Sequence, residues 1–87
     1  MIAEKVTIKN EQGLHMRPAG VLAKVATKYP CDVKLIIGEI EINAKSIMMI
    51  IGGGIKCGTE VEIVCNGAQE QEALEEIKAL VESGFGE

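Results

Sequence analysis

His15 is the only histidine of the 87 residues, and it stands in Gly13-Leu14-His15-Met16-Arg17-Pro18-Ala19, just ahead of a stretch with helical spacing. A neutral imidazole nitrogen is a nucleophile at physiological pH and can attack phosphorus directly. The N-terminus of a helix presents unpaired N–H groups and a partial positive charge, so an imidazole placed there sits beside an anion site. Arg17, whose planar fork suits phosphate oxygens, would fall in the first turn. A cation there opposes the helix macrodipole unless an anion visits. Phosphoryl transfer needs mostly positioning and charge stabilisation, and this short segment offers both. The competing reading of the same residues is a surface turn histidine followed by a solvated arginine; on local chemistry alone the two stand about level.

A second candidate is Ser46, which precedes the apolar run Ile47-Met48-Met49-Ile50-Ile51. That run reads either as a buried strand or as a short helix with Ser46 as its N-cap, and the helix is the reading adopted. A short helix cannot bury every side of five apolar residues. Part of the run should therefore stay exposed. The following Gly52-Gly53-Gly54 ends the element and is not a phosphate loop, because no Lys-Ser or Lys-Thr pair follows and Ile55-Lys56 lacks the required order. Cys31, Cys57 and Cys65 are odd in number and contain no C-x-x-C pair. They suggest neither a disulfide framework nor a zinc site, and reduced, buried thiols are expected.

The elements that must position these residues follow from periodicity. Lys5-Val6-Thr7-Ile8-Lys9 alternates polar and apolar, predicting a strand from about Ile2 to Lys9. Asn10-Glu11-Gln12-Gly13 is a turn cluster. Ala19, Leu22, Ala23 and Ala26 then recur at helical spacing from about Met16, with Pro18 acceptable in the first turn. The helix should stop near Lys28, because Tyr29 precedes Pro30. Val33 to Ile37 and Ile40 to Asn43 read as an antiparallel hairpin joined by Gly38-Glu39. Glu60-Val61-Glu62-Ile63-Val64 alternates as a strand. Ala73, Leu74, Ile77, Leu80 and Val81 form the stripe of a last helix closing near Gly84. The order is βαββαβα and the class α+β: a four-stranded sheet with all helices on one face, its other face solvated at Lys5, Thr7, Glu60 and Glu62.

Composition bounds the remaining possibilities. At 47% hydrophobic and 25% charged residues the chain fits a soluble globular protein, and its length fits one domain over residues 1–87. With only Tyr29 and Phe85 aromatic and no tryptophan, the core must come from Ile, Val, Leu, Ala and Met. A formal charge of −4, with no aromatic residues among the basic ones, argues against nucleic acid. The start of the chain has no basic segment followed by a long apolar run, and Ile47 to Ile51 is too short to span a bilayer, so membrane insertion is not expected and a cytoplasmic location is.

Gly13 to Ala19 is similar to the phosphorylation-site signature G-L-H-A-R-P-A of the histidine-containing phosphocarrier proteins (HPr) of bacterial sugar phosphotransferase systems. Lys45-Ser46-Ile47-Met48, followed by Gly54-Ile55-Lys56-Cys57-Gly58, resembles the second signature of that family. Length, element order and the terminal Gly84-Phe85-Gly86-Glu87 also match, so the likeness covers nearly the whole chain. It implies an open-faced β-sandwich, with a four-stranded antiparallel sheet and three helices on one face. It implies that His15, assisted by Arg17, accepts phosphate from phosphorylated enzyme I and donates it to sugar-specific enzyme II components. On this reading the protein is a monomeric carrier without a cofactor or metal rather than a stand-alone catalyst. The resemblance further implies that an HPr kinase/phosphorylase places phosphate on Ser46, as in many Gram-positive bacteria. This would switch off the carrier and aid catabolite control through a transcriptional regulator; an ordinary N-cap serine is the alternative. A dianionic group at a helix N-terminus is physically reasonable there. Met16, Gly20, Lys24, Ile47, Met48 and Ile51 would contact partners. A regulatory HPr-like paralogue and a nitrogen-related phosphorelay carrier are the other functions that the likeness admits. Met16 replaces the usual alanine beside the histidine, and Met49 and Gly53 stand where small and larger residues respectively are common. These departures bear more on kinase docking than on His15.

Overall fold

In the computed structural model, which describes residues 1–86, the alternation near the start of the chain becomes strand β1 (Ile2–Thr7). Helix α1 (Met16–Thr27), the hairpin of β2 (Asp32–Ile37) and β3 (Ile40–Asn43), helix α2 (Ile47–Gly52), strand β4 (Glu60–Asn66) and helix α3 (Glu70–Glu82) follow. A turn over Gly84–Gly86 closes the described chain. The four strands form one antiparallel sheet in the order β1-β4-β2-β3, so β4 enters between the first strand and the hairpin. Its register sets Val6 beside Val61 and Leu35 beside Ile63, and Leu35 also stands across from Ile42. These side chains point to one face, as a period of two requires.

The helices cover that face with the stripes their spacing predicts. Ala19, Leu22, Ala23 and Ala26 of α1, and Ala73, Leu74, Ile77 and Val81 of α3, are buried in one cluster with Val33, Ile63 and Cys65. Each fully buried Ile or Leu contributes roughly 1.5–3 kcal/mol through apolar surface removed from water. No methionine belongs to this core, contrary to expectation: Ile, Val, Leu, Ala, Cys31, Cys65 and Phe85 fill it. On the opposite face Lys5, Thr7 and Glu60 are exposed and Glu62 is half-buried, with Lys5 across from Glu62 in register.

α2 settles the ambiguity of the apolar run in favour of a helix. The Ser46 hydroxyl accepts the Met49 N–H at 3.2 Å, replacing one of the bonds that a first turn lacks. Only Ile50 of this helix is buried. Gly52 remains helical and Gly53 is the C-cap, so the glycine run ends the element one residue later than its first member. A Cβ at Gly53 would stand 2.3 Å from Ile42 Cδ1, so the large side chain of Ile42 uses the space that a larger residue at position 53 would need.

Three boundaries differ from the periodicity by more than one residue. β1 ends at Thr7 rather than Lys9, because its partner turns away; Ile8 instead bonds to the preceding loop, donating to Thr59 O at 3.0 Å and accepting from Gly58 N at 2.8 Å. β4 runs on to Asn66. α3 begins at Glu70, a turn ahead of its apolar stripe, with Gln69 at φ +63° before it. Glu70 and Glu72 in that first turn favour the helix dipole, a polar signal invisible to an apolar stripe. The cysteines also differ. Cys31 and Cys65 are buried, and burial first of all pushes the Cys65 thiol up to about 11. Cys57 is exposed, because it lies in the polar loop before β4 rather than on an inward strand position. Among the described residues no helix is long and apolar enough to cross a membrane.

Candidate functional site

The loop from β1 to α1 is fixed by backbone contacts before any side chain is considered. Gly13 takes φ +66°, where a side chain is disfavoured. A Cβ there would also lie 2.2 Å from Ile55 O, so only glycine allows the loop to close on the segment after α2. The Gly13 N–H donates to Asn10 O at 2.9 Å, and the Leu14 N–H donates to Ile55 O at 2.9 Å. Leu14 is buried, and Asn10 Nδ2 donates to Gly84 O at 2.8 Å. These bonds deliver His15 to the end of α1.

His15 is the N-cap residue of α1, with φ −77° and ψ −167°, and its carbonyl accepts the Ala19 N–H at 3.0 Å. Its half-buried side chain makes no capping bond to the helix. The first turn contains no acidic residue, and Pro18, buried within it, has no N–H to offer. Its orphan donors are therefore the amides of Met16 and Arg17. Arg17 is exposed, and among the described residues no hydrogen bond or ion pair engages it. Beside His15 opens a cleft of about 400 Å³ lined by Lys9, Asn10, Glu11, Gln12 and Gly84. An imidazole, two first-turn amides and a guanidinium two residues on suit a phosphoryl group; Arg17 does not line the cleft, whose charged side chains besides His15 are Lys9 and Glu11. Lys9 and Gln12 were not singled out from sequence; their signal was only their nearness in the chain to His15. The terminal Gly-x-Gly-Glu signature is described through Gly86, and Glu87 lies outside the described residues.

The other candidate residues lie on α1, on α2 and at the α2 cap, and the two helices pack against each other. Met16, Lys24, Ile47 and Met48 are exposed, while Gly20, Ser46 and Ile51 are half-buried. Ile51 also packs against the core, so only part of its surface is open to a partner. The far end of α1 is tied down by polar bonds. Lys28 Nζ donates to Glu76 Oε2 at 2.8 Å, the Tyr29 hydroxyl donates to Glu76 Oε1, and Lys45 Nζ reaches Tyr29 O at 2.8 Å. The Lys28 bond, then the Tyr29 bond, hold the Glu76 carboxyl below its ordinary range. The same contact with Glu76, with burial next, pushes the Tyr29 phenol up to about 12.

Charge is sorted along the chain in a way that reading motif by motif overlooked. Residues 12–31 and 42–59 hold five of the nine basic residues and none of the thirteen acidic ones. These stretches contain α1 and α2 with their flanking loops. The segments of α1 and α2 are thus cationic within an acidic chain, whereas α3 on the same side of the sheet carries Glu70, Glu72, Glu75, Glu76 and Glu82; counting charge by segment reveals the contrast.

Comparison with known proteins points to one family. The family described as "PTS HPr component phosphorylation site" matches residues 2–83. The phosphocarrier protein HPr of Treponema pallidum is 34% identical over 87 residues, covering 100% of this chain and 99% of that protein. The crystal structure of HPr-C-His from Thermoanaerobacter tengcongensis superposes with a TM-score of 0.96 at 37% identity, covering 100% of this chain and 98% of the other. A crystal structure of the Bacillus subtilis catabolite repression protein Crh, described as a swapped, intertwined dimer, gives a TM-score of 0.78 at 37% identity over 95% of each chain. The chain belongs to the HPr family, the phosphocarriers of the phosphotransferase system. The four-stranded antiparallel open sheet with three helices is the α+β open-faced sandwich expected of that family.

Proposed function

We propose that His15 carries the phosphoryl group, taking it from phosphorylated enzyme I and delivering it to enzyme II components in the cytoplasm. The observation that carries this reading is the place of His15 as N-cap of α1, in a first turn without acidic residues and with Arg17 two positions on. The ring nitrogen attacks phosphorus in line, so an N–P bond forms as the bond to the donor breaks; the same exchange in reverse hands the group to the acceptor. Arg17 and the first-turn amides offset the negative charge of the phosphoryl oxygens. Partner contacts fall to Met16, Gly20, Lys24, Ile47, Met48 and Ile51, in two segments that hold basic and no acidic residues and so suit acidic partner surfaces. The 87 residues act as one carrier unit, a monomer that neither enters the membrane nor binds nucleic acid.

Incubation with phosphoenolpyruvate and enzyme I should add one acid-labile phosphate, mapped to His15. The His15→Ala protein should accept none, and acceptance by that variant overturns the assignment.

Ser46 is the regulatory position of this reading, phosphorylated by an HPr kinase/phosphorylase and then read by a transcriptional regulator. Likeness to Crh supports it. Ser46 already caps α2, so a phosphate on that oxygen would meet the same helix end. ATP and the kinase should place one acid-stable phosphate on Ser46. Absence of that phosphate removes the regulatory role and favours the nitrogen-related relay.

A further inference from the structure

Methionine is usually core filler, a flexible side chain that occupies irregular gaps. Here none of the four is buried: Met1 is 79% exposed, Met16 70%, Met48 79% and Met49 45%. Their positions differ in consequence. Met16 is the first residue of α1, adjoining His15, and Met48 lies in the first turn of α2, which packs against α1. Met49 instead lines a cleft of about 290 Å³ with Ile42, Lys34 and Lys45. Met1 precedes β1, whose other end leads to the His15 loop, about 20 Å of strand away, and its amine pairs with Glu70 at 3.1 Å.

We infer that Met16 and Met48 form an oxidation-sensitive modification site, at which conversion of the thioethers to sulfoxides by hydrogen peroxide slows phosphoryl exchange with partner proteins. The inference rests on the carrier reading above. A sulfur lone pair attacks one peroxide oxygen, the S–O bond forms as the O–O bond breaks, and the departing hydroxide takes up a proton as water. Sulfur loses two electrons and peroxide gains them. The product is a polar acceptor where an apolar, adaptable side chain stood. In the isolated protein that acceptor is hydrated, so the fold is unaffected. Pressed against a partner it is desolvated without a guaranteed donor, so the cost falls on docking alone.

Cys57 is also exposed, and an exposed thiol is open to oxidation, so the experiment uses the Cys57→Ser protein. Samples treated with peroxide are quenched, reduced with dithiothreitol, mapped by peptide mass and assayed for initial rate with enzyme I and phosphoenolpyruvate. Sulfoxide at Met16 and Met48 should lower the rate about tenfold, and methionine sulfoxide reductases A and B should restore it. The Met16→Leu/Met48→Leu protein in the same background should keep its own untreated rate even with Met1 and Met49 oxidised. The thermal midpoint should not move. Full oxidation of Met16 and Met48 with an unchanged rate overturns the inference. So does equal loss in the double variant, a fall in thermal midpoint that accounts for the loss, or failure of both residues to react under peroxide that converts Met1. An untreated protein that accepts no phosphate refutes the carrier reading itself, and this inference with it.

Discussion

The N-termini of α1 and α2 use the same position for opposite ends. At α2, Ser46 turns its oxygen onto the Met49 amide and so completes the helix locally. At α1, His15 occupies the cap with no side-chain bond to the helix, and a proline and a cation follow in the first turn. A cap that satisfies its helix adds stability, whereas a cap that leaves its amides to an incoming anion keeps binding capacity. α1 can hold such an end because its remaining length is anchored: four residues of its stripe besides Pro18 are buried, and Lys28 and Tyr29 are tied to Glu76. α2, with six residues and one of them buried, depends more on its cap.

Five substitutions test that contrast. Gly13→Ala should have the largest effect, about 3 kcal/mol of lost stability, because it combines positive φ with a Cβ driven into Ile55 O. Urea unfolding measures the loss, and a change under 1 kcal/mol would mean that the His15 loop tolerates being moved. Ser46→Ala should cost about 1 kcal/mol, read from the same titration, and His15→Ala clearly less; equal losses would erase the distinction between the caps. Arg17→Glu should raise stability by about 0.5 kcal/mol through the helix dipole while slowing phosphate acceptance from enzyme I. If both quantities fall, Arg17 has a structural role beyond the anion. The smallest effect is expected at low pH. Because the folded state holds the Glu76 carboxyl below its ordinary 4.5, its contribution is present above that value and fades as pH falls through the lowered one. Glu76→Gln should therefore flatten the acid limb of stability slightly, without altering the difference between the two caps.

Much of this arrangement was readable from residues. The start of α1 at Met16 followed from Pro18 and the alanine-rich stripe, and the Ser46 cap followed from a hydroxyl ahead of an apolar run. The hairpin turn at Gly38-Glu39 followed from spacing. What escaped depends on contacts between distant segments. Nothing in the spacing of residues 60–64 tells that β4 inserts between β1 and β2. The early start of α3 escaped because its first turn is polar, and Cys57 was misplaced because composition alone assigns thiols to the interior. Composition alone also counted methionine among the core residue types, although Met16 and Met48 were assigned to partner contacts and the isoleucines, leucines and valines suffice to fill the core. Gly13 was recognised as part of a turn, yet its demand for a bare Cα comes from Ile55, more than forty residues away.

The place of β4 has a consequence for biosynthesis. β1 emerges before the other strands, but among the described residues its one strand partner lies at residues 60–66, and the loop carrying His15 is fastened through Ile55, Gly58 and Thr59. Such distant pairing must wait for the intervening chain. A ribosome-bound fragment that already contains the histidine therefore still lacks the braces that shape its surroundings. Competence arrives only when residues 55–66 have been made and have paired, rather than with the residue itself, and chains that stop short of them have no assembled site with which to intercept phosphate.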